Sequence, residues 1–258
     1  MMMTTTEPSA PSLLDTIRQR GLVRIPVQWD DTSAQYLDPD SGEPAGMVGL
    51  VGHLLAADLG VALQFVEIPW AEQIPALLAG EVDVSIKHTN TPHRAFAVEF
   101  TLFPIICEEG RIVVRRDRGL PNETALNRPE CRLAVARGSS QEIHVRRRYP
   151  QAEVWLLPTA QDTLAAVANG EADACLHDTL VPGFLVSQPE CTVLTTAAGQ
   201  PVTPYRDCVH PCLKPGDSRF LNWLNSWLAF HRAAGTFETL ITEAETAFRA
   251  KFHQTLGI

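Results

Sequence analysis

The chain has 258 residues, 45% hydrophobic and 20% charged, with 30 Asp and Glu against 21 Lys and Arg for a net charge of -9. This composition can bury a substantial core in one large domain or two smaller ones, which excludes collagen-like, disordered and small disulfide-framework proteins. The acidic balance argues against nucleic acid or an anionic membrane surface as a partner, because the one dense basic run, Arg146-Arg147-Arg148, is too short to reverse the field. The longest apolar stretch, residues 46–68, is interrupted by His53, Asp58, Gln64 and Glu67, so no membrane span is expected. Residues 1–12 are polar, with neither a basic nor an apolar signal region. They read as a disordered N-terminal segment on a chain that is either cytosolic or has lost its signal. Six cysteines (Cys107, Cys131, Cys175, Cys191, Cys208, Cys212) are scattered with no CxxC pair, against a zinc knuckle or thioredoxin-like site. No cofactor and no metal is expected.

In chain order, residues 13–21 read as a short amphipathic helix ended by Gly21, and the β-branched run 23–28 as a strand. Residues 29–44, rich in Asp and turn residues, form a loop. A helix over 48–59 stops at Gly60, a strand covers 62–67, and a helix over 71–79 stops at Gly80. Strands alternating with helices of this size predict an α/β fold with a parallel sheet.

Residues 75–89 repeat at 165–179 with a constant offset of 90 and no gap: Ala76, Gly80, Glu81, Asp83 and Thr89 recur as Ala166, Gly170, Glu171, Asp173 and Thr179. Each copy is a helix, a Gly stop, a tight turn and a buried strand. Two lobes of similar topology follow, with Lys87-His88-Thr89 and His177-Asp178-Thr179 at equivalent strand ends. In open α/β sheets ligands bind outside the carboxyl ends of strands, so two facing lobes would line one cleft with these triplets.

Thr91-Pro92 supplies an N-cap and a first helical residue after the first triplet, and Ser139 with Glu142 has capping-box spacing after the strand 132–136. Both are expected helix N-termini that favour anions, and Arg94 adds a bidentate carboxylate fork. Asp178 reads either as a cap or as an acceptor for an ammonium group. A carboxylate clamp facing an ammonium acceptor describes a receptor for an α-amino acid, and Lys87 and His88 lean toward an acidic or polar ligand.

In order and spacing, these segments resemble the family 3 extracellular solute-binding proteins of polar amino acid ABC transporters. The resemblance runs over residues 13–248: the opening 17–25, then 46–60, 70–83, 89–101 with Pro104, 138–142, 170–178, and 214–217 followed by Trp223 and Trp227. It implies a type II periplasmic-binding fold of two mixed sheets flanked by helices. Lobe 1 would be 13–108 with 206–258 and lobe 2 would be 109–205, joined by two hinge crossovers. By position, Arg94 would clamp the ligand α-carboxylate with Thr89 and with Ser139 or Ser140, and Asp178 would receive the α-ammonium. Trp29 stands where it would be a stacking wall or a core residue. The chain departs from the family in lacking an acidic residue after Gly46, and in carrying Lys87 and His88 in a segment one residue shorter than usual.

The resemblance also implies an ABC permease as partner, a monomer, and a periplasmic or extracellular location, which the absent signal sets against a cytoplasmic one. The alternative is an enzyme on the same scaffold, similar to cyclohexadienyl dehydratase. That enzyme's general acid, three residues past the Asp178 position, is Val181 here. A kinase sensor domain has no span or signalling module in its favour. Cys208 and Cys212 read as a chance cluster or, in an exported chain, as candidates to pair with Cys191. The helical stripe Leu221, Leu224 and Leu228, beside the Trp pair, should pack on lobe 1.

Overall fold

The computed structural model describes residues 11–30, 32–178, 185 and 188–255. Val181 and Thr179 therefore lie outside the described residues, as do residues 1–10 of the expected disordered segment.

Helix α1 (Leu13–Arg20) leads into strand β1 (Leu22–Val27). A small hairpin, β2 (Tyr36–Leu37) and β3 (Pro44–Ala45), precedes helix α2 (Gly46–Leu59), and β4 (Ala62–Glu67) pairs parallel with β1. The expected helix over 71–79 is a 3-10 turn, Trp70–Glu72, followed by α3 (Gln73–Ala79), since Pro75 has no N–H and is tolerated only in a first helical turn. Then come β5 (Ser85–Thr89), the single turn α4 (Pro92–Ala95), β6 (Glu99–Phe100) and β7 (Ile106–Glu109). Lobe 2 holds β8 (Arg111–Arg115), β9 (Arg132–Ala136), α5 (Ser140–Arg148), β10 (Glu153–Leu157), α6 (Ala160–Ala168), β11 (Ala174–His177) and β12 (Cys191–Val193). The chain returns through β13 (Arg206–Leu213) to helices α7 (Ser218–Ala233) and α8 (Thr236–Thr255).

The sheets are mixed rather than parallel throughout. In lobe 2 the order is β10-β9-β11-β8-β12, the first three parallel and β8 and β12 antiparallel. In lobe 1 β4 pairs with β1, and β5 pairs antiparallel with β13. β8, which follows the first crossover, therefore runs against the βαβ strands beside it, while β12, paired antiparallel with β8, runs in their direction.

The repeat has a shared structural cause. The Gly80 and Gly170 backbones have φ of +77° and +76°, a left-handed conformation that favours glycine and closes each helix. In lobe 1 Asp83 N–H donates to the Arg24 carbonyl, and in lobe 2 Asp173 N–H donates to the Arg132 carbonyl, each at 2.9 Å. The side chains reciprocate: Asp83 accepts from Arg24 N–H at 2.7 Å and Asp173 from Arg132 N–H at 2.8 Å. Each Asp thus ties its own strand to the neighbouring strand's start.

The hydrophobic clusters also divide by lobe. One joins Ile17, Ile25, Val51, Leu55 and Ile86 to Phe220, Leu224, Leu228 and Phe237, placing the terminal helices on lobe 1. Another gathers Ile112, Leu126, Leu133, Val145 and Leu176 in lobe 2. Trp227 and His231 of α7 both reach the Asp58 carboxylate at 2.8 Å, pinning that helix to α2.

Between the lobes, β7 and β13 run antiparallel, Cys107 facing Cys208 and Glu108 facing Asp207. Cys107 and Cys208 form a disulfide. The pairing expected for Cys191 is thereby corrected: Cys191 and Cys212 are free and buried, each inside a different lobe. Gly110 N–H donates to the Tyr205 carbonyl at 3.0 Å, and a Cβ at Gly110 would lie 2.2 Å from the Tyr205 ring. That ring is buried and stacked on His144 at 4.4 Å, so it has little room to yield. Gly110→Ala is expected to cost ~1–3 kcal/mol, the range for overpacking. A urea unfolding midpoint equal to wild type would show that the crossover absorbs the methyl group.

Candidate functional site

A cleft with about 840 Å³ of empty space, part of it continuous with solvent, lies between the lobes. Lobe 1 contributes Gln28, Asp30, Trp70, Lys87 and Thr89, and the first crossover contributes Glu108. Lobe 2 contributes Ser139, Ser140 and Gln141 at the start of α5, Thr159 and Ala160 at the start of α6, and His177 and Asp178 at the end of β11.

Both lobe 2 helices begin at the cleft for local reasons. Ser139 Oγ accepts from Glu142 N–H at 3.2 Å, while the Glu142 carboxylate accepts from Gly138 N–H at 3.0 Å rather than from Ser139. Thr159 and Asp162 close a complete capping box on α6. In both helices the cap leaves earlier N–H groups facing the cleft, where a ligand anion is favoured. The helix expected after Thr91-Pro92 is one turn long, with the Arg94 and Ala95 N–H groups both donating to Thr91, and it offers no such terminus.

Of the residues singled out in the sequence, Lys87, Thr89, Ser139, Ser140 and Asp178 line the cleft together, and Trp29, His88 and Arg94 do not. Trp29 packs edge-on against Phe65, with ring centroids 5.6 Å apart, and belongs to the lobe 1 core; the aromatic wall is Trp70. His88 lies behind that wall, stacked on Trp70 at 4.4 Å with its Nδ1 on Ser85 Oγ at 2.7 Å. Burial first, then the nearby Arg94 and Lys87 cations, hold its pKa well below the usual histidine value, so it is neutral. Lys87 is 3.7 Å from Asp30, whose carboxylate also accepts from Thr32 and Gln35. The lean toward an acidic ligand therefore loses both its supports: one is neutral and hidden, the other is already paired.

Arg94 is 7% exposed and donates to the Thr89 carbonyl at 3.0 Å and, across the lobes, to the Gly138 carbonyl at 2.8 Å. Its guanidinium stands 5.7 Å from the Trp70 ring centroid. Burial lowers its pKa, and no carboxylate forms an ion pair with it among the described residues. Thr89 Oγ1 also donates across the lobes, to Ser140 Oγ at 3.4 Å. Asp178 accepts from Gln141 at 3.1 Å and stands 4.0 Å from His177 Nδ1.

Sequence reasoning did not single out Gln28, Asp30, Trp70, Glu108 or Thr159. Thr159 had a readable signal, the Thr-x-x-Asp capping spacing after a strand. The others reach the cleft only through packing. Among the described residues no group of His, Cys, Asp or Glu is placed to hold a metal ion, and no helix is long and apolar enough to cross a membrane.

Two α/β lobes joined by paired crossovers, with polar strand ends and helix starts facing one cleft, define a binding protein of the type II periplasmic class. The sequence model of the bacterial extracellular solute-binding proteins, family 3, matches residues 24–243, and the chain belongs to that family. It is similar to the ancestral amino acid-binding protein AncCDT-1, a precursor of cyclohexadienyl dehydratase, with 27% identity, 90% of this chain and 99% of that one covered, and a TM-score of 0.79. A putative binding component of an ABC transporter from Wolinella succinogenes, complexed with lysine, is 26% identical, with 86% and 94% covered and a TM-score of 0.75. The virulence sensor protein BvgS of Bordetella pertussis is 31% identical over 136 residues, 52% of this chain. The match spans only 11% of that relative's length.

Proposed function

We propose that the protein captures an amino acid in its cleft by closure of the two lobes and presents the closed form to an ABC transporter permease. The observation that carries this reading is Arg94, a buried cation with no carboxylate partner among the described residues, which is not itself on the cleft surface but is bonded to the backbone of Thr89, which is, and of Gly138, next to the cleft residue Ser139. A ligand carboxylate would exchange for the Gly138 carbonyl on Arg94 and take hydrogen bonds from Thr89, Ser139 and Ser140. Asp178, on the facing wall, would receive the α-ammonium. The solved relatives above 25% identity, one amino acid-binding and one complexed with lysine, support the same ligand class.

The lobes are taken as 13–108 with 206–258 and as 109–205, a division supported by hydrophobic clusters that each fall within one part. The protein works as a monomer, by binding rather than turnover. An extracytoplasmic location is supported by the family and by the Cys107–Cys208 disulfide, since such bonds persist in oxidising compartments. The match to a sensor protein over half of this chain favours a second reading, in which the same closure is reported to a signalling partner.

Ligand at a hundredfold excess over Kd stabilises a folded protein by ~2.7 kcal/mol. A panel of proteinogenic amino acids is therefore expected to contain members that raise the melting temperature by several degrees. A flat panel would remove the amino acid reading.

A further inference from the structure

The floor of the cleft carries more acidic chemistry than an α-ammonium requires. Glu108 lies on the first crossover strand, opposite Asp207 on the second, and lines both the cleft and a smaller pocket of about 250 Å³ that is partly open to solvent. No hydrogen bond or ion pair is formed by the Glu108 carboxyl among the described residues, although Asp178, Lys87, Asp207 and Glu245 all act on it through space. Near it, Asp207 Oδ1 is 2.8 Å from His144 Nε2 while Asp207 Oδ2, on a residue 6% exposed, and His177 Nδ1, on one 7% exposed, stand without hydrogen-bond partners among the described residues. A carboxyl without a donor costs free energy, and for Glu108, which lines the cleft, the missing donors are those of a ligand.

We infer that Glu108, on the cleft floor with the Asp207 charge opposite it on the second crossover strand, forms a subsite for a second positive group, so that the cleft takes amino acids with a cationic side chain. The inference rests on the amino acid reading above and adds the side-chain class. An ammonium or guanidinium has three or more N–H donors and matches a floor that offers acceptors. Lys87 does not fill this place, being 3.7 Å from Asp30.

The subsite is linked to protons. Burial, then the Asp178 charge, pushes the Glu108 carboxyl up to about 8, so it is protonated in the empty cleft at neutral pH. An entering cation favours the ionised form, and the proton leaves to solvent. Affinity for a cationic ligand should therefore rise between pH 6.5 and 8, by up to tenfold per unit, and level off above. The other groups facing Glu108 are Asp178, Asp207, Glu245, Lys87 and Tyr205; His177 nearby is held below the usual histidine range by burial and is neutral across this interval.

The test compares near-isosteric pairs by isothermal titration calorimetry: L-arginine with L-citrulline and L-lysine with L-norleucine, in two buffers of different ionisation enthalpy. The expected result is at least tenfold tighter binding of the charged member, release of close to one proton at pH 7, and loss of that preference in Glu108→Gln. The buffer comparison on wild-type protein stands even if the variant does not fold. Equal affinity within each pair, no proton release, or a preference retained by Glu108→Gln would overturn the cationic subsite while leaving an amino acid receptor. Binding of no amino acid by wild-type protein would overturn both readings.

Discussion

Arg94→Ala is expected to weaken amino acid capture by a hundredfold or more. The guanidinium is desolvated and its visible bonds go to carbonyl oxygens, so a ligand carboxylate offers it a stronger acceptor than either. Hydrogen bonds to charged groups contribute ~1.5–3 kcal/mol each, and two of them make a hundredfold to ten-thousandfold difference in Kd. Arg94→Lys should recover only part of this, because an ammonium is a point charge and cannot span two acceptors as the planar fork does. Calorimetric titration with the tightest ligand of the panel reads the effect, and far-UV circular dichroism checks that the variant is folded. Affinity within threefold of wild type would mean that Arg94 serves only to tie Thr89 to Gly138 across the lobes.

Asp83→Ala is the substitution expected to cost most in stability, ~3 kcal/mol. The Asp83 side chain is 1% exposed; it accepts from Arg24 N–H and from the Arg24 guanidinium at 2.8 Å, and forms an ion pair with Arg20. Removing it leaves a backbone donor unsatisfied and two arginines without their shared counter-ion. Those arginines are 32% and 25% exposed, so solvent recovers part of the loss and the full penalty of a sealed pair is not reached. Asp173→Ala removes the equivalent backbone bond in lobe 2, but its partner Arg118 is 40% exposed at 3.3 Å, and ~1 kcal/mol is expected there. Urea unfolding of both variants makes the comparison. Equal losses would show that the shared backbone bond carries the whole effect and that the arginines add nothing in lobe 1.

These two residues also mark how far the sequence could be read. Asp83 and Asp173 stood out because they recur at an offset of 90 beside the glycines that close the preceding helices, a pattern set by local backbone geometry. Arg94, Thr89, Ser139 and Asp178 stood out through family resemblance and strand-end position, and four of the eight residues so chosen needed no more than that: Thr89, Ser139, Ser140 and Asp178 line the cleft. Lys87 also lines it, though its pairing with Asp30 removes the role its charge suggested. In sequence Trp29 reads as a wall or a core residue and Trp70 is not singled out, although both follow a lobe 1 strand; the packing of Trp29 against Phe65 places it in the core. His88 alternates with Lys87 and Thr89 along β5, and its neighbours face the cleft while it faces Trp70 and Ser85.

The sequence by itself determined most of the helices and strands, the duplicated αβ units and the strand ends that meet at the cleft, because helix stops, caps and hydrophobic periodicity act over a few residues. The tertiary structure alone decided which groups share the cleft floor. Glu108, on that floor, stands opposite Asp207, and Cys208 meets Cys107 rather than Cys191, because β7 and β13 lie side by side with about a hundred residues between them. No local pattern records a register set by the packing of two lobes, and it is that register which gives the cleft its charge.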